Sequence, residues 1–250
     1  MLGISCPPLC YLPVEDVIEK IAAHFKLWEI IPEHLHHPEN SSLHSILPSY
    51  SLKLQVHAPL SDINIASINR RMKEASVKEI KEAIIFARQI GASLVTVHPG
   101  HKSPMTVEHV NIVYALTNES LKELAKFGEE MGVRIALENM PDMGVAICKR
   151  PEEVLEAIRG TDIGLCFDVG HANTNHNIEK FFELSHLFLN VHLHDNDGKK
   201  DSHSTVGEGT IKFKSLCSKF TRYKGNYIIE SRTIESGVKS KNILASMGYY

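Results

Sequence analysis

VRIALENMPDMGVAICKRPEEVLEAIRGTDIGLCFD (133–168) contains one full repeat of the chain's pattern. Its two ends, VRIALE (133–138) and IGLCFD (163–168), are short apolar runs of strand length. Between them Pro151 opens PEEVLEAI, a helix with acidic residues in its first turn, where the backbone dipole favours them. Strand, helix, strand in that order predicts two parallel neighbours joined by a crossover.

The same pattern continues in both directions. The other strand candidates are LGIS (2–5), LWEI (27–30), LKLQVH (52–57), LVTVH (94–98), LFLNVHLH (187–194) and YIIE (227–230). Several are rich in Val, Ile and Leu without polar alternation, as expected of strands covered on both faces. Helical patterns lie between them. Residues 67–90 put Ala75, Ile80, Ile84 and Ala87 on one side and end at Gly91, and residues 107–131 end at Gly132. Eight strands in 250 residues give about 31 residues per unit, near the minimum for a βα repeat. The expected fold is α/β: a single (β/α)8 TIM barrel over residues 1–250, its site at the C-terminal ends of the strands. An open doubly wound sheet is the competitor, but no GxGxxG follows the first strand, and Gly207-Glu208-Gly209 comes too late to supply one.

Composition narrows the function. The 27 Lys and Arg against 30 Asp and Glu leave a net charge of −3, so bulk charge provides no field for nucleic acid. A hydrophobic fraction of 43% and a charged fraction of 23% exclude a disordered chain. The five cysteines, Cys6, Cys10, Cys148, Cys166 and Cys217, form no CxxC pair and suggest a reducing cytoplasm. The apolar N-terminal stretch has no basic lead-in and is broken by Pro7-Pro8, unlike a signal peptide, and no apolar run reaches the roughly 20 residues of a membrane span. A soluble cytoplasmic protein with no membrane partner is expected. Its 15 histidines are the unusual feature.

The strand ends carry the chemistry. The third strand ends in His57, the fourth in His98, the fifth in Glu138 and the sixth in Asp168; the seventh carries His192 and the eighth ends in Glu230. In a parallel barrel these converge on one bowl. A lone histidine or glutamate there would read as a hydrogen-bonded structural residue. Six on consecutive strands do not. Carboxylates buried together with no Lys or Arg beside them need a cation, and a divalent metal suits His and Asp/Glu donors. Asp168 and His171, three residues apart, can reach one site or two adjacent ones. In the polar loop 192–209, His194, Asp195 and Asp197 read mainly as solvated, whereas Asp201 and His203 share one side of an extended segment. His34, His36 and His37 read as an exposed loop, Trp28 as core, and Glu29 and Glu33 as flanking the bowl rather than lining it. The run 69–73, NRRMK, reads as a solvated helix face and is the best local phosphate-binding candidate.

Taken together, HAP (57–59), VHPG (97–100), LENM (137–140), CFDVGH (166–171), HLHDNDGKKDSHSTVGEG (192–209) and IIES (228–231) resemble the xylose isomerase-like barrel superfamily, over nearly the whole chain after Leu52. That superfamily contains sugar isomerases and epimerases, and also the endonuclease IV type of abasic-site nuclease. Resemblance to the nucleases implies three zinc ions. His57, His98 and Glu138 match the first, Glu138, Asp168, His192 and Glu230 the second, and His171, Asp201 and His203 the third. The departures lie just outside these ligands: Leu60 replaces a tyrosine, Ser202 an arginine, and His194 to Asp197 replace the x-Asn-Asp-Ser/Ala-Lys pattern.

Resemblance to the epimerases implies one divalent ion, Zn2+ or Mn2+, on Glu138, Asp168, His192 and Glu230. Glu138 and Glu230 would also be the catalytic acid–base pair, and His171 would touch substrate. His194 and Lys199 are further substrate-binding candidates. A divalent ion on a carbonyl and its neighbouring hydroxyl acidifies the C–H between them and stabilises the enediolate, so a proton can leave to one glutamate and return from the other. The favoured reading is a metal-dependent isomerase or epimerase of a small sugar or sugar phosphate. The alternative is a zinc-dependent apurinic/apyrimidinic-site endonuclease with DNA as partner, and a metal-holding barrel without catalysis is the third.

Overall fold

All eight strand candidates form strands in a computed structural model that describes residues 1–39 and 43–249. They are β1 (Leu2–Ser5), β2 (Leu27–Ile30), β3 (Lys53–His57), β4 (Leu94–Val97), β5 (Arg134–Glu138), β6 (Gly164–Asp168), β7 (Phe188–Leu193) and β8 (Asn226–Glu230). They pair in parallel and in sequence order, and β8 closes on β1 with Glu230 opposite Ser5. This is the (β/α)8 barrel; the open-sheet competitor is excluded by that closure.

The α-helices among the described residues are α1 (Val14–His24), α2 (Leu43–Ile46), α3 (Arg70–Gln89), α4 (Val110–Met131), α5 (Pro151–Ala157), α6 (Val169–Thr174), α7 (Ile178–Phe181), α8 (Phe213–Cys217) and α9 (Ile234–Ser246). Two begin later than their sequence patterns. Ser67 accepts from the Asn69 N–H, and the Asn69 side chain in turn caps α3, so residues 67–69 form a turn. Residues 103–109 are likewise held in turns before α4 by Thr106 and Ser103. α4 stops at Gly132, whose φ of 68° is the left-handed conformation a helix end favours. Among the described residues, no helix is long and apolar enough to cross a membrane.

The barrel wall has two chemistries. Outward residues such as Ile4, Trp28, Val56, Val97, Leu137, Phe167, Val191 and Ile229 join one apolar core with the helices. Phe167 is fully buried in it, stacked on Phe181 at 5.4 Å and on Phe188 at 4.8 Å. The inward face corrects the expectation of strands without polar alternation. Glu29, Gln55, Thr96 and Asn190 are all buried inside the barrel. Gln55 Nε2 lies 3.2 Å from both Glu29 Oε2 and Asn190 Oδ1, and Asn190 Nδ2 lies 2.8 Å from Glu29 Oε2 and 3.1 Å from Thr96 Oγ1. Asn226 donates to Gln55 from below. Buried polar groups are tolerated when they satisfy one another, and this network does so under the site except at Glu29 Oε1, which faces His192.

Candidate metal centre

Period-two alternation sets the site. Because Glu29, Gln55 and Asn190 point inward, so do the residues two positions on, and the last inward residues of β3, β5, β6, β7 and β8 are His57, Glu138, Asp168, His192 and Glu230. His98 follows β4 directly, and His171 lies in α6, the helix that Asp168 caps by accepting the His171 N–H at 2.6 Å. Asp201 and His203 return over the bowl from the loop after β7. Every side chain expected to bind metal is therefore in one place. Glu138, Asp168, His192 and Glu230 are at most 6% exposed.

Glu138 is the hub. Its Oε2 lies 3.1 Å from His57 Nε2 and 3.0 Å from His98 Nε2, and its Oε1 lies 3.0 Å from His192 Nδ1. His192 Nδ1 is also 3.1 Å from Glu230 Oε1 and 3.8 Å from Asp168 Oδ2. Asp201 Oδ2 lies 3.3 Å from His171 Nε2 and 3.1 Å from His203 Nε2, and His194 Nε2 lies 3.2 Å from Asp168 Oδ1. One donor atom from each residue comes within 4.8 Å in each of three adjoining groups: His57, His98 and Glu138; Glu138, Asp168, His192 and Glu230; and His171, His194, Asp201 and His203.

The far nitrogens of the rings show what the near ones are for. His57 Nδ1 sits 2.8 Å from the Ala58 carbonyl oxygen, and His171 Nδ1 sits 2.8 Å from that of Asn139. A carbonyl only accepts, so each Nδ1 carries the proton and donates. His192 Nε2 lies 2.9 Å from Glu29 Oε1 and 3.0 Å from Asn190 Nδ2. No carbonyl fixes this ring as it does the other two: Glu29 Oε1 is buried beside Nε2 without a hydrogen bond. His57 and His171, when neutral, each aim the Nε2 lone pair at a carboxylate oxygen, acceptor against acceptor. Only a positive charge between them makes that arrangement favourable. Asp168 Oδ2, Asp201 Oδ1 and both ring nitrogens of His194 are buried without hydrogen-bond partners, which is the condition of unused donors. The residues fit divalent ions.

Without a cation the same geometry draws protons. Burial alone would lower the pKa of the imidazoles, but the carboxylates outweigh it, raising His57 and placing His171 and His192 well above the ordinary value. Burial would likewise raise Glu138, yet His192, His57 and His98 hold it well below the usual carboxylate range. Glu230 and Asp201 are lowered against burial by His192 and by His171. Cys166 lies among Glu138 and His192 as well. Burial pushes its thiol far up, so without a metal beside it the group is a neutral thiol.

Other residues fall elsewhere. His194, expected to touch substrate, is 1% exposed inside the third group, and Lys199 is exposed in a turn where its N–H donates to Asp197. Glu33 accepts from Leu60 and Ser61 outside the bowl. The exposed-loop reading fails for His36, which is 2% exposed with its ring edge-on to Trp28, because the loop folds back onto the outer wall. In the run 69–73, Arg70 pairs with Glu74 and Lys73 with Glu119, which leaves a solvated helix face. Glu29 is the residue missed. Its signal was the inward parity of LWEI, which places it two residues behind the rim of β2.

Residues 19–246 match the family profile described as xylose isomerase-like TIM barrel. An uncharacterized protein of Methanocaldococcus jannaschii is 36% identical over 97% of this chain and 87% of its own length. A crystal structure of a D-tagatose 3-epimerase-like protein is 35% identical with a TM-score of 0.92, covering 98% of this chain and 96% of that one. A probable endonuclease 4 of Aquifex aeolicus is 28% identical over 68% of this chain and 67% of its own. Closed barrel, converging donors and matched length agree, and the chain belongs to the xylose isomerase-like TIM barrel family.

Proposed function

We propose that this protein is a divalent-metal-dependent isomerase or epimerase of a sugar or sugar phosphate. The observation that carries the reading is the placement of Glu138 and Glu230. They stand on non-adjacent strands, yet each puts an oxygen about 3 Å from His192 Nδ1. A substrate above this point has one carboxylate on each side. Both stay ionised at neutral pH, so either can accept the proton of a carbon lying between a carbonyl and a hydroxyl. The glutamate that took the proton returns it to the neighbouring carbon in an isomerisation; inversion at the same carbon requires the opposite glutamate to deliver a proton taken from solvent.

Glu138, Asp168, His192 and Glu230 would hold the reacting ion, three carboxylates and one imidazole that suit Mn2+ as well as Zn2+. When bound, the ion supplies Lewis acidity to the carbonyl and offsets the charge left on oxygen. His98, half-buried at the mouth, orients substrate hydroxyls. The loops after β1, β4 and β5 expose Tyr11, Met105, Val107, Met143 and Val145, while Lys199, Lys200 and Arg232 are exposed on those after β7 and β8.

A second reading, an endonuclease IV-type nuclease, is favoured by the three adjoining donor groups and by the endonuclease relatives. One comparison separates them. The isomerase reading expects chelator-sensitive exchange of a substrate C–H with D2O on some member of a ketose and ketose-phosphate panel. No exchange across the panel, together with chelator-sensitive incision of abasic duplex at physiological salt, would replace it with the nuclease.

A further inference from the structure

The cations around the mouth are not balanced alike. On the loop after β5, Lys149 is paired with Asp142 at 2.8 Å and Arg150 with Glu153 at 2.7 Å. Arg232, exposed on the loop after β8, is different: among the described residues its side chain meets no carboxylate. Its Nε donates instead to the Ser202 carbonyl at 3.0 Å. A carbonyl is neutral, so that bond fixes the side chain without neutralising it. The N–H groups on the terminal nitrogens are left over, and they form the flat fork that takes paired oxygens of one anion.

The anchor lies at the edge of the bowl. Ser202 stands between Asp201 and His203, and Arg232 stands two residues past Glu230, whose Oε2 is 3.4 Å from His203 Nδ1. This segment is held without any ligand: the Ser202 hydroxyl shares a hydrogen bond of 2.9 Å with that of Ser204, and Ser204 exchanges backbone bonds with Asp195. The acids nearest to Arg232 along the chain are engaged elsewhere, Glu230 with His192 and His203, and Glu235 with its own N–H and Thr233 at the start of α9. Lys200, two residues before Ser202, is also exposed and has no ion pair among the described residues.

We propose that Arg232, with Lys200 beside it, is the seat of a phosphate group on the substrate, so that the sugar turned over in the bowl is a phosphorylated one. In α/β barrels the loops after the seventh and eighth strands commonly take a phosphate, and here they carry the cations that no acid neutralises. A phosphate monoester has about −1.5 to −2 charge at pH 7 and offers several oxygens in fork geometry. A planar guanidinium matches that pattern, and the hydroxyl of a free sugar does not supply it. The inference rests on the preceding section in taking Glu138, Asp168, His192 and Glu230 as the place of reaction.

The test uses the full-length, metal-loaded protein at physiological ionic strength. Calorimetric titration with inorganic phosphate should show binding that Arg232→Gln weakens by about 10–100-fold, the worth of hydrogen bonds to a charged group. Equal binding to both proteins, as for phosphate held by the metal ions alone, or binding to neither overturns the proposal. In the exchange assay, kcat/KM for a ketose phosphate is divided by that for the same ketose without phosphate. This ratio should fall by a similar factor in Arg232→Gln and by less in Arg232→Lys, which keeps the charge but not the fork. An arginine that only ties the two loops together would affect both substrates alike, and a ratio left at the wild-type value overturns the proposal. A wild type that prefers the free ketose does so too. If the wild type exchanges neither substrate, the isomerase reading fails by itself, and the phosphate seat stands or falls on the titration.

Discussion

The two faces of the barrel wall are built by the same strands and obey opposite rules. Outward, Val56, Val97, Leu137, Phe167 and Val191 bury apolar surface against the helices, where shape and volume decide. Inward, Glu29, Gln55, Thr96 and Asn190 and the donors above them are held by named hydrogen bonds, where each lost partner strands another buried polar group. Stability is concentrated in the outer layer and chemistry in the inner one, so a substitution on one face should leave the other face's observable nearly untouched.

The largest effect is expected inside. Glu138→Gln removes the charge on which His57, His98 and His192 converge. Glutamine keeps the shape but cannot accept the proton, so C–H exchange with D2O should fall by roughly 10²–10⁴-fold. Metal content must be measured alongside, since the same oxygens are donors. A variant that holds its metal and exchanges at the wild-type rate would remove Glu138 from the chemistry.

The outer wall gives the contrasting case. Phe167→Ala opens the stack with Phe181 and Phe188 and should cost about 3–5 kcal/mol of stability. At roughly 2–4 °C per kcal/mol for a chain of this size, Tm should drop by about 6–20 °C. Below that temperature Mn2+ affinity should fall only slightly, since Asp168, the next residue of β6, points to the opposite face of the strand. A large loss of affinity in the folded variant would mean that the two faces are coupled.

Glu29→Gln probes the join between them. The Glu29 carboxylate stands 2.9 Å from His192 Nε2, where its charge favours the ring proton on that nitrogen and leaves Nδ1 for a metal. A glutamine that keeps its oxygen toward the Gln55 and Asn190 amides turns its NH2 to His192 Nε2, which must then accept, and the ring proton moves to Nδ1. Partners of this kind contribute about 10–100-fold to metal affinity. Chelator competition should show that loss, with a change in Tm smaller than that of Phe167→Ala. Wild-type affinity in this variant would reduce Glu29 to a structural member of the network.

The same division explains what the sequence could reveal. The rim donors were legible because a parallel barrel brings every strand's C-terminal end to one face, so His57, His98, Glu138, Asp168, His192 and Glu230 needed only the strand assignment. The polar plug was harder to see. Glu29 is a single carboxylate in an apolar run, and its meaning depends on Asn190 and His192 across the barrel. His194 looked like loop because its burial depends on Gly170, and His36 looked exposed because Trp28 covers it only after the chain folds back. Helix starts shifted for a local reason, the side-chain turns at Ser67 and Thr106.

The smallest effect returns to the outer wall, through His36. Burial against Trp28 lowers its pKa below the ordinary 6.5, with the Leu12 backbone and Glu15 only partly opposing. In the unfolded chain the ring takes a proton as pH falls through about 6.5, while in the folded chain it resists until a lower pH. The unfolded state therefore binds more protons in that window, and stability contributed by the neutral buried ring is lost as pH drops. His36→Leu removes the titrating group while keeping an apolar side chain under the indole. Tm of the metal-loaded wild type should fall relative to that of the variant between about pH 7 and 5, by about 2 °C or less. The site's histidines are common to both proteins and cancel in the difference. A difference that grows in the other direction would mean that His36 gains a proton on folding, and the outer wall would then hold a charge that its apolar packing does not show.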